Sequence, residues 1–139
     1  MMTINEFIMK YRDIKVLKDF RGTNMEKDYD DGIMRRVMNP YVICKDDFTF
    51  SAQASESHYS KPKGLADEYE EIEIGFPSYN DPIIAKYRED YGCEETFSSA
   101  VYGYVPVGVV DKLIAAHGGI DEQAVQDQIA DLKENKEVA

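Results

Sequence analysis

Residues 65–78 read LADEYEEIEIGFPS. Five carboxylates, Asp67, Glu68, Glu70, Glu71 and Glu73, fall within seven positions. Acidic side chains are poor strand formers. Yet the end of the stretch alternates. Ile72, Ile74 and Phe76 fall on one side of an extended chain, Glu71 and Glu73 on the other. Strand side chains point to opposite faces in turn, so the apolar side can cover a core while the acids meet water. Gly75-Phe76-Pro77 then ends the strand. This segment implies a sheet with one dry face and one charged face.

The preceding residues supply its neighbours. Val37 to Cys44 is apolar and β-branched, interrupted by Asn39-Pro40, which suits an edge or a late strand start. Lys45-Asp46-Asp47 reads as a tight turn. FTFSAQA at 48–54 alternates again, with Phe48, Phe50, Ala52 and Ala54 on one face and Thr49, Ser51 and Gln53 on the other. The two runs predict a hairpin. SESHYSKPKGLA at 55–66 is a polar loop.

Helices are expected around this sheet. Thr3 and Glu6 match a capping box, and Ile4, Phe7, Ile8 and Tyr11 recur at helical spacing. Residues 12–32 mix charges of both signs and predict a surface connection, with a short strand around Val16 and Leu17. Asp81-Pro82 resembles an N-cap with proline in the first turn, and Ile83, Ile84, Tyr87 and Tyr91 predict a helix stopping at Gly92. Residues 93–98 read as a loop and 100–105 as a short strand. A helix follows from Pro106 to His117-Gly118-Gly119. Asp121 caps a last helix whose apolar stripe, Val125, Ile129 and Leu132, is narrow. The expected fold is α+β: a small antiparallel sheet with helices packed on one side and a C-terminal helix. The chain is expected to form one domain over 1–139, with an N-terminal helix and connection (1–36), a sheet–helix core (37–120) and the C-terminal helix (121–139).

Composition bounds the function. The 139 residues are 43% hydrophobic, enough for a core without disulfides or metal. Two distant cysteines, Cys44 and Cys93, suit a reducing cytoplasm. No apolar run approaches the roughly 18 residues of a membrane span. MMTINEFIMK, with its early acid and no apolar core, is not expected to be a signal peptide. Net charge is −11. Residues 1–36 hold eight basic and seven acidic residues, and residues 37–139 hold eight and twenty, so the whole deficit lies after position 36. Such a surface repels nucleic acid and anionic membrane and attracts basic partners.

Signatures of catalysis are scarce. There is no P-loop, dinucleotide fingerprint, HExxH or GxSxG motif. Asp28-Tyr-Asp-Asp-Gly32 lacks the downstream glutamate of a calcium loop. Cys44, His58, Cys93 and His117 lack the paired spacing of a zinc site. His117, in the last turn before Gly118, reads as a helix-end cation, and Ser57, His58 and Ser60 as solvated loop residues. No metal and no cofactor is expected.

The acid row remains. Side chains two apart on a strand lie roughly 6.5–7 Å apart. Successive phosphates on one strand of a duplex lie at roughly 6–7 Å once winding is allowed for. Glu71 and Glu73 therefore match phosphate spacing. Asp46, Asp47, Asp67 and Glu68 are expected to extend the row.

FTFSAQAS (48–55), HYSKP (58–62), EIEIGFPS (71–78) and YGYVPVGVVDKLIAAHGGI (102–120) together resemble a family of small acidic proteins carried by phages and integrative elements of Gram-positive bacteria. The resemblance covers about half of the chain and leaves out the first 40 residues and the terminal helix. Some such mobile-element proteins are similar to anti-CRISPR inhibitors that disable a Cas nuclease. The resemblance implies an inhibitory role and supplies no catalytic residue. The expectation is a non-enzymatic inhibitor in the cytoplasm of a bacterial host. It would block nucleic-acid binding by a basic nuclease of Cas9 type, with no direct nucleic-acid or membrane contact. Glu68, Glu70, Glu71 and Glu73 are the first candidates for partner contact, with Asp67, Asp46 and Asp47 second. The alternative is a structural or adaptor protein of the element acting through its 121–139 helix. A third reading is a small enzyme using Cys93 or His117.

Overall fold

A computed structural model describes residues 1–18, 33–55, 58–89 and 100–138. In chain order the elements are α1 (Ile4–Tyr11), β1 (Asp13–Lys18), β2 (Ile33–Met38), β3 (Val42–Ile43), β4 (Thr49–Gln53), β5 (Glu71–Gly75), β6 (Val101–Pro106), α2 (Val107–Ala116) and α3 (Glu122–Val138). One turn of 3-10 helix, Ala85–Tyr87, lies between β5 and β6. β3-β4-β5-β6 form a four-stranded antiparallel sheet, and β1 pairs with β2 in a separate antiparallel ribbon. The α+β architecture matches the expectation. None of the described helices is long and apolar enough to cross a membrane.

Alternation set the inner face of β4 and β5, and a register shift opposite β5 brings two residues of β6 three positions apart onto the same face. Phe50 and Ala52 on β4, Ile72 and Ile74 on β5, and Tyr102 and Val105 on β6 are all buried. They join Ile4, Phe7 and Ile8 of α1, Val110, Leu113 and Ile114 of α2, and Val125 of α3 in one core. Thr3 and Glu6 form the capping box read from the sequence. The first amide of α1 also donates to Asp111 Oδ1 on α2, at 2.8 Å. That bond satisfies one of the orphan donors of a helix start. α3 docks by its first half: Val125 is buried, Ile129 partly so, and Leu132 is 50% exposed.

Three amide side chains pin loops by taking both the N–H and the C=O of one backbone residue. Asn5 does so to Tyr69, at 2.9 and 3.0 Å. Gln53 does so to Asn39, at 2.9 and 2.9 Å, and Gln128 to Tyr41, at 2.8 and 3.0 Å. Each mimics one rung of a strand ladder where no strand is present. Gln53 was expected on the polar face of β4; this duty explains why it is buried instead.

Several expectations are corrected. The strand read from Val37 to Cys44 is two pieces: β2 ends at Met38, and β3 starts only at Val42, after Asn39-Pro40. The strand expected around Val16 and Leu17 is present, as the six residues of β1, and pairs with β2. The turn signals and the calcium-like run between 19 and 32 lie outside the described residues. Pro106 ends β6 and caps α2, which begins one residue later. The helix expected from Asp81 is only a turn and the short 3-10 segment. Asp81 Oδ1 does accept from the Ile83 amide, at 2.9 Å. The chain is then drawn onto β6, where Glu89 N–H donates to Val101 O at 2.8 Å and Arg88 bridges Tyr102. Pairing with the sheet edge thus replaces continued helix. Tyr91 and Gly92 lie outside the described residues.

Candidate acidic interface

β5 is an interior strand, held by β4 on one side and β6 on the other. Its outward residues, Glu71 and Glu73, are half-buried, while Glu68, Glu70 and Asp67 just ahead of it are exposed. Among these acids sits Tyr69, which is 1% exposed. Its backbone is pinned by Asn5, and its hydroxyl lies 2.7 Å from Gly64 O. The same hydroxyl accepts from the Ala66 amide at 3.1 Å and from Arg12 Nη2 at 2.9 Å. Tyr69 points inward, and Glu68 and Glu70 on either side of it are exposed.

The acids are not equally available. Glu73 Oε1 accepts the Tyr59 amide at 3.2 Å, because residues 58–61 cross the outer face of β5. Lys61 and Glu71 exchange backbone bonds at 2.9 and 3.2 Å, fixing that crossing. Lys61 Nζ lies 3.4 Å from Glu70 Oε2, both side chains being mostly exposed. Such a surface pair contributes little to stability. Residues 61–73 hold two lysines and five carboxylates, a net charge of −3. His58 does not reduce it. Burial holds the imidazole below the ordinary histidine value, and the nearby Glu73 charge only partly opposes this. It is therefore neutral at pH 7, with Nδ1 2.6 Å from Ser55 Oγ. Ser60, expected in solvent, is buried and bonded to Ser55 O and Pro62 O.

Asp46 and Asp47 sit elsewhere. They form the β3–β4 turn, where Asp47 has φ +72. Ser51 pairs with Gly75, so that turn lies beyond the far end of β5 from Glu71. Gln53 pairs with Glu73, and the extended run from Gln53 back to Asp47 sets the two acid groups about 20 Å apart. The structure therefore groups Asp67, Glu68, Glu70, Glu71 and Glu73, and sets Asp46 and Asp47 apart.

Asp46 has a partner that the sequence did not reveal. His117, at the end of α2, is gripped between two carboxylates: Nδ1 to Asp46 Oδ2 at 2.6 Å, and Nε2 to Asp81 Oδ2 at 2.7 Å. Its ring stacks on Phe48, with centroids 3.9 Å apart and planes 9° from parallel. Gly118, with φ +88, turns the chain away as expected. Both imidazole nitrogens are committed, so this histidine fastens the turn, the Asp81 loop and α2 together. Burial acts to lower its pKa, but the bonds to Asp81 and Asp46 prevail and hold it above the ordinary value. The Asp46 carboxyl is held below its usual range, first by His117 and then by the Phe48 amide.

A pH dependence follows from these signs. The raised histidine contributes stability that is complete below about pH 6.5, its unfolded value, and is lost as pH rises through the folded value. The depressed aspartate contributes stability present above about pH 4 and lost as pH falls through its folded value. Melting temperature should hold a plateau between those limits and decline on the alkaline side. His117→Gln should melt lower throughout and lack that alkaline decline. Thermal unfolding across pH checks it; an identical alkaline limb in both proteins would refute the clamp.

Among the described residues no group of three or more His, Cys, Asp or Glu could hold a metal ion. Cys44 is buried, and its thiol is pushed up to about 12, chiefly by burial and then by the Asp46 charge, so it stays protonated at neutral pH. Cys93 lies outside the described residues. Sequence reading also missed Glu89. A Cβ built on Gly103 would run into a Glu89 carboxylate oxygen and come 3.3 Å from Tyr59 Cβ, so Glu89 lies against the backbone of β6. Nothing local signals this, because the contact joins residues on either side of the 90–99 segment.

Comparisons with family models, with curated proteins and with solved structures found no match to this chain.

Proposed function

We propose that the protein is a non-enzymatic inhibitor of phage or mobile-element origin, acting in the bacterial cytoplasm. In this reading it binds the basic nucleic-acid channel of a host defence nuclease, of Cas9 type, and competes there with the phosphate backbone. The observation that carries the reading is the placement of Glu71 and Glu73 at alternate positions of an interior strand, led by exposed Asp67, Glu68 and Glu70. A strand paired on both sides loses little freedom on binding, so its carboxylates meet a partner preorganised. Asp46 is better explained by its grip on His117.

The structure also dictates the test. Glu73 holds the Tyr59 amide and should be left in place. Glu68→Lys, Glu70→Lys and Glu71→Lys together change the surface charge by +6. Wild type should capture a Cas9-type nuclease at low salt and release it at high salt, because exposed charges are screened. The triple variant should fail to capture it while keeping the wild-type circular dichroism spectrum. Undiminished capture by a folded triple variant would overturn the reading.

A further inference from the structure

The outer face of β5 and β6 holds an arrangement that charge alone does not explain. The two strands slip register between Ile72 and Ile74, so Glu73 faces two residues of β6, Gly103 and Tyr104. Such a bulge re-aims side chains. Tyr104 takes φ +53, a conformation uncommon for residues other than glycine, and the residue is 39% exposed. Its amide donates to Tyr59 O at 3.1 Å. The Tyr59 and Tyr104 rings lie 5.7 Å apart, tilted by 32°. Around them stand Glu73, bonded to the Tyr59 amide, and Glu89, laid across Gly103. Glu71 is one repeat further along β5.

Two exposed phenol rings among carboxylates make a poor seat for an apolar group, which would strip water from the acids without replacing it. A phosphate or nucleic acid would be repelled. A cation suits both components. Lys63 already leans in from this chain, its Nζ 6.0 Å from the Tyr104 centroid, at the outer limit of a cation–π contact. A guanidinium fits better than an ammonium, because it is flat, weakly hydrated and able to stack on a ring while its edge bonds a carboxylate. We infer that this face receives an arginine side chain of the partner protein, stacked on Tyr104 and paired with Glu73 and Glu89. The inference rests on the proposed binding of a basic partner and specifies which side chain of that partner is recognised.

The test uses the whole chain with heptaarginine and heptalysine peptides, read by calorimetry and by tyrosine ring shifts in NMR. Wild type should bind heptaarginine about fivefold or more tighter than heptalysine. Tyr104→Gly should reduce that preference to within about twofold, yet melt no lower than wild type, since glycine accepts φ +53 without strain. Tyr104→Phe keeps the ring and should keep the preference. Equal binding of both peptides by wild type would overturn the arginine site, as would an unchanged preference in Tyr104→Gly. If equal binding is then lost in the Glu68, Glu70 and Glu71 triple variant, the acidic interface survives without the arginine site. If neither peptide binds wild type, both readings fall.

Discussion

Replacing Phe48 by alanine should lower the unfolding free energy by about 3–5 kcal/mol, the usual cost of deleting a buried aromatic ring. Phe48 has no exposed surface. Its ring is stacked on His117 at 3.9 Å, lies 5.8 Å from Phe50, and is topped by Tyr79 at 6.0 Å, nearly parallel. Its backbone closes the β3–β4 hairpin: the amide donates to Asp46 Oδ1 at 3.0 Å and the carbonyl accepts from the Cys44 amide at 2.8 Å. The alanine variant keeps both backbone bonds and loses only the ring. The cavity would adjoin the His117 clamp, so a second effect is expected. Water reaching the imidazole weakens its bonds to Asp46 and Asp81, and its pKa should move back toward the ordinary value. Urea unfolding gives the first quantity and NMR titration of His117 the second. A loss below about 1 kcal/mol would mean that the site collapses to fill the void, and that the stack is incidental.

That clamp marks the boundary of what the sequence discloses. Patterns confined to one element were readable. The Thr3–Glu6 capping box, the alternation of Phe50 and Ala52 with Ser51, the outward Glu71 and Glu73, and the left-handed Gly118 all lie within a few residues of their own signal. Relations between elements were not readable. Asp46 and His117 are 71 positions apart, and each alone looks like a surface charge. Gln53, Asn5 and Gln128 likewise look like solvated amides until the loops they pin are in place. The residues after Asp81 show the opposite failure. Their helical spacing was a true local preference, and pairing of Arg88 and Glu89 with β6 overrode it. The candidate interface divides in the same way. Glu71 and Glu73 followed from alternation, whereas the bulged Tyr104 depends on a register slip, and Glu89 on pairing with β6, that no residue type announces.

Tyr69→Phe should cost about 1–3 kcal/mol although it deletes a single oxygen, because several part-buried groups lose a partner at once. The Ala66 amide and Arg12 Nη2 both donate to that hydroxyl, and Gly64 O lies 2.7 Å from it. Among the described residues Arg12 Nε is already buried without a partner, and Arg12 Nη2 would keep only its longer bond to Ala66 O, at 3.3 Å. Phenylalanine fills the same space, so the loss cannot be assigned to a cavity, and denaturant unfolding measures it directly. Hydrogen exchange at the Ala66 amide should accelerate well beyond the global change in stability. The consequence reaches the acidic face. Tyr69 is the inward anchor that leaves Asp67, Glu68 and Glu70 in water on a fixed backbone. Once residues 64–70 loosen, those carboxylates must be ordered again when a partner arrives, and that cost reduces affinity. Tyr69→Phe should therefore weaken capture of a basic partner while leaving every charge in place. If capture is unchanged while Ala66 exchanges freely, charge alone suffices and a rigid acidic strand is unnecessary.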